Sequence, residues 1–221
     1  MKKLILWASI ALLAGACGTS NETRNAVANV PAVNAPANSA PPAEPLKDAT
    51  YTSGANPRDD LVSAAQKRQK VPFWSAKITS ETTPGIDAEM QYVAPNRFHI
   101  KKAEGELIVI GNDAYSFENG KWQKSGETNA DDILSQTKAG IEEGVRNLKD
   151  IKIARREKIN GRDAAVYEYG AGGVTTRVWI AVDSGLELKN EVETTIAGKP
   201  AKQTTVYDYD RKVTIEAPKI D

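Results

Sequence analysis

From Phe73 onward, apolar and polar residues alternate with a period of two. Trp74, Ala76 and Ile78 share one face of the first such stretch, and Ala88, Met90 and Tyr92 continue the pattern. Phe98 and Ile100 lie opposite Arg97, His99 and Lys101. Residues 107–110 are apolar without interruption, as in a strand covered on both sides. Tyr115, Phe117 and Trp122 follow. After an interval of different periodicity come Ile151 and Ile153, then Ala165, Tyr167 and Tyr169. Val178, Ile180 and Val182 lie opposite Trp179 and Ala181, and the last stretches carry Val192, Thr194 and Ile196, then Val206, Tyr207 and Tyr209. Alternation of this extent predicts antiparallel sheet. Asn119-Gly120 and Asn160-Gly161 add hairpin signals, because both central residues of a type I′ turn need positive φ. Gly172-Gly173, Asp183-Ser184-Gly185 and Gly198-Lys199 punctuate the later strands, giving about ten in all.

Two stretches break the alternation. Asn56-Pro57 offers a cap and a first-turn proline, Asp59 and Asp60 suit the positive end of the helix dipole, and Pro72 sets a stop, so a helix is predicted to about Lys70. A second helix is predicted from about Asn129, with Asp131 and Asp132 in its first turn and Leu134, Ile141, Val145 and Leu148 on one stripe. Gly140 and Gly144 weaken it by ~1 kcal/mol each relative to alanine. Such a helix is either a mobile cover or a permanent one.

The N-terminus follows a different pattern. Lys2 and Lys3 precede an apolar run from Leu4 to Leu13 broken only by Ser9, and then the small Ala14, Gly15 and Ala16. This is the layout of a signal peptide over residues 1–16, and the run is about half the ~20 residues of a spanning helix. Leu13-Ala14-Gly15-Ala16-Cys17 resembles a bacterial lipobox, with Ala14 where leucine is commoner. It predicts that Cys17, the only cysteine in the chain, carries a lipid anchor. An ordinary signal peptide cut after Ala16 would instead leave an exposed, reactive thiol. Each buried methylene contributes ~0.8 kcal/mol, so several acyl chains hold where one does not. Gly18 rather than aspartate after the cysteine resembles the signal for outer-membrane sorting. Residues 17–50 are rich in alanine, asparagine, proline and serine, with almost no large apolar side chains and five prolines between Pro31 and Pro45. They cannot bury enough surface to offset chain entropy and are predicted to form a disordered tether. Residues 51–221 remain as one domain, long enough for a real core.

Charge and chemistry narrow the function. Without Lys2 and Lys3 the chain has 27 basic against 29 acidic residues, with no basic run, which argues against nucleic acid as a partner. The domain has one histidine, His99, and no cysteine, which excludes Cys–His nucleophiles and zinc sites of the usual ligand types. Residues 170–173 are glycine-rich but sit between strands, as a hairpin turn rather than a phosphate loop. In Tyr207-Asp208-Tyr209-Asp210 the two aspartates share a face but are too few for a calcium site. The expectation is a protein that is not an enzyme and needs no cofactor or metal.

The segment from Val93 to Lys124 resembles the periplasmic lipoprotein carrier of the Lol pathway. There a P-N-x-F strand is followed by an apolar strand, a turn and an aromatic strand. Pro95, Asn96 and Phe98 carry the first part here, and Ile108 to Gly111 and Tyr115 to Trp122 the second. Gly161, Tyr167, Tyr207 and the hairpin around Asp183, Gly185, Leu186 and Lys189 resemble the repeating hairpins of the same LolA-like superfamily. That superfamily also takes in the outer-membrane Lol receptor, mycobacterial glycolipid-carrying lipoproteins and sigma-factor regulators of the MucB type. The resemblance implies a mainly β fold, with a curved antiparallel sheet forming an unclosed half-barrel and two or more helices on its concave side. It implies that acyl chains of a lipid or lipoprotein lie between sheet and helices. An envelope protein partner, as for the MucB type, or a purely structural envelope lipoprotein are the alternatives. In the carrier an arginine after the P-N-x-F phenylalanine tethers the helical lid, and here that position is His99, a weaker and pH-dependent tether. Expected pocket residues are Trp74, Ile78, Met90, Tyr92, His99, Trp122 and Trp179 on the strands, covered by Leu134, Ile141 and Val145. Alternation alone does not say which sheet face is concave, so each could equally be ordinary core.

Overall fold

The computed structural model describes residues 56–81, 87–127, 130, 133–135, 144–145, 148–171, 173–196 and 198–220. The expected signal peptide, Cys17 and the tether lie outside the described residues. Helix α1 (Pro57–Lys70) begins as its sequence predicts. Asn56 caps it by accepting from the Arg58 amide, Pro57 occupies the first turn, and Lys67, Arg68 and Lys70 end it. Eleven strands follow: β1 (Phe73–Ser80), β2 (Ala88–Val93), β3 (Arg97–Lys102), β4 (Gly105–Ile110), β5 (Asp113–Glu118), β6 (Lys121–Glu127), β7 (Lys149–Ile159), β8 (Arg162–Ala171), β9 (Val174–Ala181), β10 (Glu187–Ile196) and β11 (Lys199–Asp208). Ala130, residues 133–135 and residues 144–145 are helical.

All strands belong to one antiparallel sheet in the order β6-β5-β4-β3-β2-β1-β11-β10-β9-β8-β7. The chain starts at the centre with β1, walks outward to β6 at one edge, reappears at the opposite edge as β7, and walks back until β11 pairs with β1. The edges do not pair, so the sheet is not closed into a barrel. Ala130, Ile133 and Leu134 of the β6–β7 connection pack against residues of β1–β5, and Val145 and Leu148 against residues of β8 and β9, so the described part of the connection covers one face of the curled sheet, its inner face.

The hairpins follow their turn chemistry. Asn119 and Gly120 have φ of 54° and 78°, and Asn160 and Gly161 have 52° and 80°, the positive pair a type I′ turn requires. Gly185 (φ +69°) has a second reason to be glycine, since a Cβ there would run into the end of the Lys67 side chain, whose Nζ donates to the Ser184 carbonyl at 3.0 Å. A Cβ on Gly161 would meet nothing within 4 Å. Gly161→Ala and Gly185→Ala should therefore each cost about 1–2 kcal/mol of backbone strain, because the flexible end of Lys67 can move aside at Gly185. Chemical denaturation of both variants checks this, and a clearly larger loss for Gly185→Ala would show that the seat of Lys67 on the turn also contributes.

Candidate functional site

Cross-strand register carries the inner face across the first five strands. One row runs Trp74, Tyr92, Phe98, Val109, Ala114, each opposite the next. The neighbouring row runs Ala76, Met90, Ile100, Leu107, Ser116, and Ile78 pairs with Ala88 beyond it. Trp74 stacks on Tyr92 at 5.7 Å between centroids, Tyr92 meets Phe98 at 5.0 Å, and Tyr207 of β11 meets Trp74 edge-on at 5.8 Å. The Tyr92 hydroxyl donates to the Pro95 carbonyl at the β2–β3 turn. Ala130, Ile133, Leu134 and Val71 pack onto this floor from inside the curl. Among these rows Ser116 is the only non-aromatic polar residue, and none carries a formal charge.

The other half of the inner face lies under α1. Leu61 and Ala64 of the helix, with Val145 and Leu148, pack on Ala165, Tyr167, Val178 and Ile180. The expected stripe of the second helix is therefore divided: Leu134 serves the β1–β5 floor and Val145 the α1 side. Ile141 lies outside the described residues.

Between the two apolar halves runs a polar seam. The β9–β10 register shifts between Glu187 and Lys189. This bulge leaves Glu187 opposite Ile180 on the inner face while Leu188 joins Trp179 on the outer one. Arg68 Nη1 donates to Glu187 Oε2 and to the Tyr207 hydroxyl, both at 2.7 Å, and the guanidinium lies 4.8 Å over the Tyr207 ring. The Tyr209 hydroxyl donates to the Glu187 carbonyl at 2.7 Å. Burial, then the charge of Glu187, pushes the Tyr209 phenol far above its ordinary value. Burial does the same for Tyr207 even though Arg68 pulls the other way.

The outer face is also covered. Val213 and Ile215 of the C-terminal segment lie over Ile108, flanked by Phe73, Val93, Tyr115 and Trp122, and Arg97 donates to the Ile215 carbonyl at 2.6 Å. This places three expected pocket residues on the wrong face. Trp122 packs under the C-terminal segment. Trp179 packs with Val166, Ala181 and Leu188, donates Nε1 to Glu157 at 2.6 Å, and has Lys189 Nζ 4.4 Å from its ring. His99 stands opposite Ile108 and pairs with Glu106 at 2.9 Å, so it cannot tether anything inside the curl. Trp74, Ile78, Met90, Tyr92, Leu134 and Val145 do lie inside. Phe98, Ile100, Leu107 and Val109 belong with them and were legible from alternation, whereas Arg68 looked like an ordinary last-turn cation. In the Tyr-Asp repeat, Asp208 accepts from the amides of Asp210 and Arg211 and caps the end of β11.

No protein-family model matches the chain, and no curated protein matches its sequence. Solved structures do match. Mycobacterium tuberculosis lipoprotein LppX superposes with a TM-score of 0.56 at 11% identity, over 74% of this chain and 100% of that one. LprF from Mycobacterium bovis superposes with 0.56 at 14% identity, over 73% and 96%. The chain has the fold of these two lipoproteins, an unclosed antiparallel half-barrel. At this identity the half-barrel is what the two proteins share with it. Pseudomonas aeruginosa MucB, in complex with MucA, reaches a TM-score of only 0.40 over 70% of this chain and 57% of that one.

On the outer side of this half-barrel, charges form a ladder across β7–β11. Glu168 accepts from Lys152 and Arg177, which hold its carboxyl below the ordinary 4.5. For Glu191 burial acts upward, but Lys189 and Lys202 outweigh it and the net direction is down. A carboxylate with a lowered folded-state pKa binds protons more readily when unfolded. Its contribution is complete above about pH 4.5 and is lost as pH falls below it. Thermal melts across pH 3–6 should show stability falling through that window, with a shallower fall for Glu191→Gln. An identical acid limb would mean that the ladder does not contribute.

Proposed function

We propose that this protein is a bacterial envelope lipoprotein, anchored through Cys17, whose half-barrel binds acyl chains of a lipid or lipoprotein between the β1–β5 floor and its helical cover. The floor carries the reading: two cross-strand rows, from Trp74 to Ala114 and from Ala76 to Leu107, form a continuous apolar surface with no formal charge and aromatic walls. An apolar surface of that chemistry suits a hydrocarbon chain, and its rows hold no carboxylate, histidine or cysteine for acid–base or nucleophilic work. The protein is therefore proposed to carry or hold its ligand rather than transform it. The resemblance to Lol-type carriers in Pro95, Asn96 and Phe98 supports the same reading.

A fluorescent acyl probe tests the pocket. The domain should bind it at micromolar concentration with a change in tryptophan emission, since Trp74 stands at the end of the first row. Met90→Phe and Ile78→Phe should weaken binding at least tenfold while the domain stays folded. In a close-packed core the same changes would instead cost ~1–3 kcal/mol through overpacking, with no acyl binding to lose. That outcome would leave the reading of a protein-interaction module. The anchor has its own test: Cys17→Ser should move the protein out of the membrane fraction or leave it unprocessed, and unchanged membrane retention with normal processing would contradict lipidation.

A further inference from the structure

We propose that α1 is a locked strut rather than a lid, held by the buried Arg68–Glu187 pair so that it stays docked in every state in which the sheet is folded. Its buried apolar surface is small, namely Leu61, Ala64 and Ala65. Its polar attachments, by contrast, run the length of the helix. Arg58 Nη2 donates to the Leu148 carbonyl at 2.6 Å, and the Tyr167 hydroxyl donates to Asp60 at 2.8 Å. Lys67 donates to the Ser184 carbonyl at 3.0 Å, and Arg68 reaches Glu187 and Tyr207 at 2.7 Å. These partners sit ahead of β7, on β8, in the β9–β10 turn, on β10 and on β11, so α1 cannot lift without breaking them together.

The last contact decides the matter. The Arg68 and Glu187 side chains are 12% and 9% exposed. If α1 rose, Glu187 would lose its cation, and Arg68 would lose both the Glu187 carboxylate and the Tyr207 hydroxyl. Removing one partner of a buried pair is far more damaging than losing a surface pair. The bulge at Glu187 and the close Gly185–Lys67 approach are both spent on this contact, since one turns the carboxylate inward and the other lets the helix end seat on the turn. The consequence for a ligand rests on the acyl-chain reading above: room would be made over the β1–β5 floor and not beneath α1. The lock itself holds with or without a ligand.

Hydrogen exchange on the full chain without ligand tests the lock separately from acyl binding. In the unaltered protein, α1 amides should exchange within about tenfold of the slowest β8 and β9 amides, because α1 is released only with the sheet. In Glu187→Ala they should exchange on the order of 100-fold faster than those strands, because the lost partner opens a local route. Glu187→Gln keeps a hydrogen-bond acceptor without the charge. It should raise the α1-to-sheet ratio by a smaller factor and serves if the alanine variant does not fold. Two results would overturn the proposal: α1 exchanging 100-fold faster than β8 and β9 in the unaltered protein, or a ratio that neither variant changes.

Discussion

The connection between β6 and β7 is the constraint from which the rest follows. These two strands are consecutive in sequence and lie at opposite edges of an eleven-stranded sheet. The chain must therefore cross the whole sheet in one step. Its described residues lie against the inner face, Ala130, Ile133 and Leu134 over β1–β5 and Val145 and Leu148 over β8 and β9. Coverage of the inner face and the unpaired edges thus follow from one topological fact. The order of strands also explains why β11 closes on β1: the two meanders meet at the centre, where α1 ends and the chain passes into β1.

The two halves of the inner face differ in how they are held. Under α1 the apolar contacts are modest and the polar contacts many, with a buried ion pair at the helix end. Over β1–β5 the balance is reversed, with aromatic and aliphatic side chains from five strands meeting Ala130, Ile133 and Leu134. Directional contacts fix one geometry, while apolar contacts are roughly indifferent to what supplies the hydrocarbon. An acyl chain can replace aliphatic side chains against such a floor at little cost, and it cannot replace Arg68 against Glu187. The division of labour follows from the chemistry of the two surfaces.

Much of this was legible in the sequence. Period two named the strands, Asn-Gly pairs named two of the hairpins, and Asn56-Pro57 named the start of α1. Which face each residue takes was less accessible. Trp122 and Trp179 are large and apolar on alternating strands, as Trp74 is, yet they face outward. For Trp179 the reason is that the second half of β9 is buried on both faces, so apolar character there carries no direction. The outer cover over Trp122 comes from Val213 and Ile215, in a segment without regular structure that leaves no periodic signal. Glu187 was hidden for a different reason: a bulge inverts the alternation locally, and nothing in Leu186-Glu187-Leu188 announces it. Arg68 was missed with it, because a cation in the last turn of a helix ordinarily faces solvent.

The central claim is that hydrocarbon from outside the chain can lie on the β1–β5 floor. Native mass spectrometry of the protein purified from its own envelope tests it most directly. The account expects a population heavier than the bare chain by the mass of an acyl-bearing molecule. That added mass should be released by mild collisional activation and be absent when Met90→Phe fills the floor. A protein that always flies at its bare mass, with and without that substitution, would contradict the claim.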